Sequence, residues 1–494
     1  MRQLAKVADN VVALLVRQVL TWSLTAVLMI FFLPRLLGDT GLGKITFAIA
    51  VITVLLVVTN LGTATFTVKQ VALDRSRVSD ILWHAYALRL AMGLLAGGAV
   101  VLATHVSGLD NDAKWVLSVA SLTLVIMGLD AAQIAALQGL ENMRRIAMAE
   151  VAGKATLLAL GVAVLETGHG VVAYALAMLS GALVGFLVNF SYLARRHLRR
   201  PSISPATARY LIVGGLPFLM TGAIMQFYTW SDTLTLRFLT RDAVVGWYGA
   251  ANQLYATMNF VPLVIITALL PALTRFHAQD RATMRVAVEK GMLAVLTTGI
   301  PLAAASLVLS GELIGFLRYP PEFRHSVPLL ATLALTLPVT GSLMLVGTVV
   351  IAADKQKEWA ITIAITSVIS LAINVPFILF FDRVYGNGAL GVTLAAVLSE
   401  ALMMALGVRL MPEGVMGRSV LIGLVRCLAA SAAMVAVLVS VKLLRDPGFV
   451  PLVMLGIAVY FVALLAVRGI TIGEVKFLLR AALSRGQAVE EASI

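Results

Sequence analysis

The chain has 494 residues, of which 60% are apolar and 13% charged, with a mean hydropathy of +0.95. Soluble domains are about 45–50% apolar and carry about twice this share of charge, so the composition excludes a soluble enzyme and a disordered chain, and the single cysteine, Cys427, excludes an intrachain disulfide scaffold. A net charge of +13 would point to nucleic acid in a soluble protein, but here the cations must first be placed relative to a bilayer.

Fourteen apolar runs follow one another at 11–33, 44–68, 81–104, 114–138, 148–165, 171–193, 210–236, 243–271, 286–310, 326–352, 359–381, 388–408, 420–441 and 448–467. As a helix rising about 1.5 Å per residue, each is long enough to cross about 30 Å of hydrocarbon. The first run is too long for a signal-peptide core and no small-residue cleavage site follows it, so it reads as a retained span. Backbone polar groups in lipid have to be satisfied within each segment, which selects helices, and the alternation of a barrel strand is absent. The expected fold is therefore all-α and integral to the membrane. Cys427 sits in an apolar run and reads as a small packing residue.

Lys and Arg orient the spans. With the N-terminus in the cytoplasm, the loops on that side hold 24 of these cations and the opposite loops 10, and both termini come out cytoplasmic. Most of the charge is thus topology. The longest basic stretch, Ala194-Arg-Arg-His-Leu-Arg-Arg-Pro-Ser-Ile-Ser-Pro205, joins spans six and seven and reads as a linker facing anionic lipid head groups, with no nucleic-acid partner.

The same linker divides the chain. Arg35-Leu-Leu-Gly-Asp-Thr-Gly-Leu-Gly43 ends span one, and Arg237-Phe-Leu-Thr-Arg-Asp-Ala-Val-Val-Gly246 ends span seven about 200 residues later. Internal repeats of this kind are common in transporters, with the substrate site where the repeats meet. The predicted division is a bundle over 1–200, a second over 201–409, two extra spans over 410–467 and a cytoplasmic tail over 468–494. In the tail, 475–483 reads as an amphipathic helix lying on the inner surface. Prolines concentrate in the second half, at Pro217, Pro262, Pro271, Pro301, Pro338 and Pro376. Each removes a helix hydrogen bond, so bent helices are expected there.

Ionisable residues inside spans are functional candidates. Arg17, Arg89 and Lys154 fall at a common depth, about 9–12 Å below the cytoplasmic boundary at 1.5 Å per residue, and Asp130 lies level with them. A layer of three cations and one acid suits a cytoplasm-facing cavity that accepts a phosphate or pyrophosphate, with Lys154 or an arginine paired to Asp130. The competing reading is that each cation snorkels to the interface. Asp232 and Glu400, like Asn189, Asn252, Gln253, Asn259 and Asn374, fit polar pairs that hold helices together. For Asp130, Asp232 and Glu400 a gating or coupling role stands beside that one. The six tryptophans mostly mark span ends. There is no Walker A sequence, no His/Cys cluster at metal spacing and no large loop with a cluster of acidic or His groups, so neither an enzyme nor a cofactor is expected.

Several short segments recur in an order and spacing that together are specific. They are Leu36-Leu-Gly38 followed by Gly43; Asn60-Leu-Gly62; Asp232; Val245-Gly-Trp-Tyr248 with Ala250-Ala251; Tyr319-Pro-Pro-Glu-Phe323; Ala353-Asp-Lys-Gln-Lys357; Asn374; Gly388-Ala-Leu-Gly391; and Ser399-Glu400. In these the chain resembles, over nearly its whole length, the polysaccharide or O-antigen flippases of the multidrug/oligosaccharidyl-lipid/polysaccharide exporter superfamily. The resemblance implies a MATE-like fold of two six-helix bundles around a central cavity plus two C-terminal helices. It also implies alternating-access transfer of an undecaprenyl-diphosphate-linked oligosaccharide from the inner to the outer leaflet of a bacterial inner membrane, for lipopolysaccharide or other surface polysaccharide. A monomer working beside a polysaccharide polymerase and glycosyltransferases is expected on that reading. The sequence departs from the family in having Asn60 where an acid is frequent and Lys69 where arginine is frequent. A cation-coupled multidrug exporter of the same fold, a peptidoglycan lipid-precursor flippase and a membrane enzyme or scaffold acting on polysaccharide are the rivals.

Overall fold

The computed structural model describes residues 18, 20–200, 204–260, 262–266, 273, 281–412, 414–445 and 447–469. Among them the secondary structure is helical and no strand occurs. Arg17 and the predicted tail helix at 475–483 lie outside the described residues. Among the described residues ten helices are long and apolar enough to cross a membrane, and up to twelve if each of two bent pairs is one span, against the fourteen runs in the sequence. Two sources of the difference are visible. The first two runs join in α1, Leu20–Asn60, a stretch of 41 residues. At about 1.5 Å per residue it is roughly 60 Å long, twice the hydrocarbon thickness. Its division comes at Gly38, which leaves the helix at φ 66° and ψ −174°, a region that only glycine enters without strain. The eighth run begins as α8, Asp242–Met258, 17 residues, and its predicted end lies outside the described residues.

The described residues form two compact units. The first reaches Gln253 and adds Tyr319–Ser326 and Ile363–Val392; the second takes Leu254–Arg318, Val327–Thr362 and the chain from Thr393.

In the first unit α1 is followed by α2 (Thr63–Leu73), α3 (Val78–Val106), α4 (Asn111–Gly139), α5 (Met143–Glu166), α6 (Gly170–Arg196), α7 (Pro205–Leu239) and the start of α8. The uninterrupted second span predicted over 44–68 is corrected: the helix breaks at Leu61 and Gly62, both left-handed with φ of 50° and 67°. The break lies against neighbouring backbone. A Cβ on Gly62 would lie 2.1 Å from Gly215 O and 2.4 Å from Leu219 N of α7, so this crossing admits no side chain. The loops read as lying on one side of the membrane meet at one end of this unit. Arg75 pairs with Glu141 at 2.9 Å, Trp83 Nε1 donates to Arg199 O at 2.9 Å, and Ser204 N donates to His84 Nε2 at 2.7 Å. Two loops read as lying on the other side meet through Lys44 and Asp110.

The second unit holds α9 (Arg281–Phe316), α10 (Ser326–Ala334), α11 (Leu337–Ala352), α13 (Ala389–Leu410) from Thr393, α14 (Arg418–Leu444) and α15 (Phe449–Ala466); α12 (Gln356–Tyr385) starts in it and passes to the first. The chain bends by 43° between α10 and α11. Pro338 has no N–H for the Ala334 carbonyl one turn back, so the ladder fails there. The other bend above 40°, 47° between Met220 and Gly222, falls one turn past Pro217. Both lie in the proline-rich half; the breaks of the first half are made by glycines instead. The two appended spans pack on α9: Tyr460 OH donates to Thr297 O at 2.9 Å, and buried Cys427 sits 3.6 Å from Thr297 Oγ1.

Candidate functional site

A cavity of about 550 Å³ opens inside the first unit, between α1, α4, α5, α6, α7 and α8. Its charged wall comes from one helix contact. A Cβ on Gly153 would meet Gly181 O at 2.7 Å, and one on Gly181 would meet Gly153 O at 2.8 Å, so α5 and α6 touch backbone to backbone, as small residues allow in membranes. That contact turns Ala149, Glu150, Gly153, Lys154 and Leu157 of α5 to the cavity, the i, i+1, i+4, i+5, i+8 stripe of one helical face. From α4, Asp130 joins them, its Oδ1 accepting Asn189 Nδ2 at 2.9 Å. Asn252 and Gln253 of α8 supply amide groups on another wall.

The six residues singled out by sequence separate here. Lys154 and Asp130 are on the cavity wall. Among the described residues Asp130 takes Asn189, not Lys154 or Arg89, as its hydrogen-bonded partner. Arg89 is 1% exposed and neither lines the cavity nor snorkels. Its guanidinium donates to Gly128 O at 3.1 Å, Asn60 Oδ1 at 2.5 Å and Thr63 Oγ1 at 3.2 Å, bracing both sides of the break at Leu61–Gly62. Asp232 accepts from Asn374 Nδ2 at 2.7 Å, tying α7 to α12 behind the cavity-lining Trp230 and Thr233. In the second unit, Glu400 accepts from Thr340 Oγ1 at 2.6 Å. Arg17 lies outside the described residues.

Glu150 escaped the sequence reading because it falls at the start of its run, beside the basic loop. The helical period was the available signal: it stands one turn before Lys154 on the same face. Its presence changes the charge balance. Among the described residues the cavity wall carries one cation and two carboxylates; of the expected layer, Lys154 and Asp130 are on it, Arg89 is not, and Arg17 lies outside the described residues.

The second unit has its own cavity of about 390 Å³ between α9, α14, α15 and the end of α8. Its lining is nearly all apolar, with Leu302, Leu309, Leu438, Ile457 and Phe461 among the walls. Such a space suits a hydrocarbon chain.

Residues 7–277 match the family described as polysaccharide biosynthesis protein. The chain belongs to that family. A curated relative from Haloferax volcanii, "Probable flippase AglR", is 24% identical over 196 residues, which cover 38% of this chain and 39% of that protein. The chain thus spans well under half the length of this relative in the matched region. Among solved structures, the lipid II flippase MurJ in an inward closed conformation superposes with a TM-score of 0.72 at 16% identity, covering 92% of this chain and 98% of that one. An inward-facing multidrug resistance MATE family transporter of the MOP superfamily gives 0.60 at 15% identity, covering 79% and 94%. These likenesses show the fold: a multi-pass helical membrane protein of the MATE-like type, as the resemblance implied.

Proposed function

We propose that this polysaccharide biosynthesis family member is a flippase. It carries an undecaprenyl-diphosphate-linked oligosaccharide from the inner to the outer leaflet of a bacterial inner membrane by alternating access, with both termini in the cytoplasm. The observation that carries the reading is a polar, ionisable cavity inside the membrane-spanning part of a chain of this family. Lys154 is the point charge for the diphosphate, and Asn252 and Gln253 are positioned for sugar hydroxyls. Asp130 and Glu150 offset that charge, so the headgroup binds without being trapped, as transport requires. The apolar cavity of the second unit takes part of the lipid tail. Asp232 and Glu400 are the gating or coupling groups. The chain works as a monomer, between the glycosyltransferases that build the lipid-linked unit and the polymerase that extends it.

The test is deletion of the gene. Loss of surface glycan with build-up of the lipid-linked unit on the cytoplasmic side is the expected result; unchanged export overturns the reading. One observation favours a second reading: two carboxylates on the cavity wall also suit an organic cation, as in a cation-coupled multidrug exporter. That protein would change cation-drug resistance on deletion and leave the glycan intact. A peptidoglycan lipid-precursor flippase would instead be marked by arrest of wall synthesis.

A further inference from the structure

A chain of hydroxyls in the second unit ends on a carboxylate. Thr336 Oγ1 donates to Tyr255 OH at 2.6 Å, Tyr255 OH lies 2.8 Å from Thr340 Oγ1, and Thr340 Oγ1 donates to Glu400 Oε2 at 2.6 Å. At its far end Thr336 Oγ1 has another acceptor, Leu333 O at 2.8 Å. Glu400 stands near the middle of α13, eleven residues from Ala389 and ten from Leu410, or about 15 Å from either end of the helix. An ionisable group at that depth is a functional group by default.

Counting hydrogens shows what the chain permits. Each hydroxyl has one hydrogen to give and room to accept. With Glu400 ionised, donation runs Thr336 to Tyr255 to Thr340 to Glu400. With Glu400 protonated, every O–H turns round, and donation runs Glu400 to Thr340 to Tyr255 to Thr336 to Leu333 O. No hydrogen is left without an acceptor in either state, and no hydroxyl loses its proton; the proton that binds comes from water. A chain that ended at Thr340 could satisfy one state only, so Leu333 O makes the arrangement reversible.

That terminal carbonyl is at the bend. Leu333 is in the last turn of α10, and Thr336 stands at the 43° break before α11. Leu333 O also accepts the Thr336 N–H at 2.9 Å, a bond that does not depend on which way the hydroxyls point. Ionisation of Glu400 takes the Thr336 hydroxyl away and so removes one of the two hydrogen bonds at the break. We propose that Glu400 is a reversible proton-binding site, and that Thr340, Tyr255 and Thr336 pass its charge state to the bend between α10 and α11. Among the described residues Tyr255 is the titratable group turned to Glu400 from α8, with the Asn259 amide also at its hydroxyl; α11 faces Glu400 with the neutral Thr340, and α12 meets α13 through Trp359 at Gly407.

The test is a pH titration of the full-length protein in nanodiscs, followed by infrared difference spectroscopy of the carboxylic acid C=O band. The ligand is the proton itself, so no substrate is needed. A band lost on raising the pH, and missing in Glu400→Gln, is the expected result. Thr340→Val removes a charge-assisted hydrogen bond made to the ionised form, so proton affinity rises about tenfold. Thr336→Val touches no atom of Glu400, yet it leaves the Tyr255 O–H without its acceptor when Glu400 is protonated, so proton affinity falls about tenfold through the relay; Tyr255→Phe strands the Thr340 O–H and acts in the same direction. These two variants keep Glu400, so the measurement stands even where Glu400→Gln does not fold. A titration that Glu400→Gln leaves intact overturns the site, and midpoints unmoved by both Thr336→Val and Tyr255→Phe overturn the relay. Lipid-linked diphosphate flipping is scored separately. A titrating Glu400 in a protein that moves no lipid refutes the flippase reading alone, and flipping without a Glu400 band refutes the proton site alone.

Discussion

Gly43 and Gly246 hold matching places in the two sequence repeats, and each is pressed against the other's helix. A Cβ on Gly43 would lie 1.8 Å from Asp242 O, and a Cβ on Gly246 would lie 1.9 Å from Asp39 O. The equivalence reaches the opposing residues, since Asp39 and Asp242 each stand four places before their glycine. The weak Arg-x-Leu repeat therefore marks a pseudo-twofold contact between α1 and α8, locked further by Trp247 Nε1 donating to Asp39 Oδ2 at 2.8 Å.

This contact predicts a sharp glycine requirement. The obstructing atoms are backbone and cannot swing aside, so Gly43→Ala or Gly246→Ala should destabilise the protein by about 1–3 kcal/mol, the usual range for overpacking. Gly98 in α3 is the control, because a Cβ there meets nothing within 4 Å. Gly98→Ala should be neutral or slightly stabilising through helix propensity. Thermal unfolding of the purified variants in one detergent measures all three, and equal melting temperatures for Gly43→Ala and Gly98→Ala would contradict the contact.

Arg89 should behave as a structural residue. Replacing it by Gln leaves Gly128 O, Asn60 Oδ1 and Thr63 Oγ1 short of a donor in a buried place, at a cost of about 1–3 kcal/mol for a buried polar group left without its partner. Arg89→Gln should lower the melting temperature clearly. A headgroup ligand would show the reverse pattern, with stability kept and flipping lost, so measuring both on one preparation decides between them.

How far the sequence could be read follows from the same residues. Apolar runs locate spans because lipid contact is a property of each segment by itself. The face a residue presents is also local, and the helical period places Glu150 and Lys154 together. Arg89 is different. Its place within a span was legible, but its partners lie on both sides of a break at Leu61–Gly62, where Gly215 of a helix 150 residues away comes against Gly62. Gly38 shows a milder form of this: a glycine read as loop is a non-helical kink between two helical stretches. Which cations enter a cavity thus depends on backbone contacts between distant glycines, and depth alone does not report them.

A pH effect is expected at Lys44 and Asp110. Burial pushes the Asp110 carboxyl up, but the hydrogen bond and charge of Lys44 and the Ala113 N–H outweigh it, and the group sits below the usual carboxylate range. A lowered value in the folded protein means stability that is present above the unfolded value, about 4, and is lost as pH falls through the folded one. Asp110 is 51% exposed, so screening holds the contribution below about 1 kcal/mol. Asp110→Asn should therefore melt slightly below the wild type at neutral pH and converge with it under acid. A gap that widens on acidification would reverse the sign.

The balance of charge on the cavity wall leads to paired variants with opposite expectations. Lys154→Ala removes the point charge that holds the diphosphate, so headgroup affinity and export should both fall, by about tenfold or more if the lost contact is worth about 1.5–3 kcal/mol. Lys154→Arg keeps the charge and should retain most activity. Glu150→Gln does the opposite to the wall: it removes a negative charge one turn from Lys154, which tightens binding and slows release. Export should then fall while apparent affinity for a lipid-linked diphosphate rises. A snorkelling lysine predicts none of this, since a charge resting at the interface leaves both affinities unchanged. Affinity moving in opposite directions for Lys154→Ala and Glu150→Gln, at equal melting temperature, ties both side chains to one ligand. A cation exporter instead predicts that Glu150→Gln weakens binding of a cationic drug and that Lys154→Ala strengthens it, so the same two proteins separate the two functions.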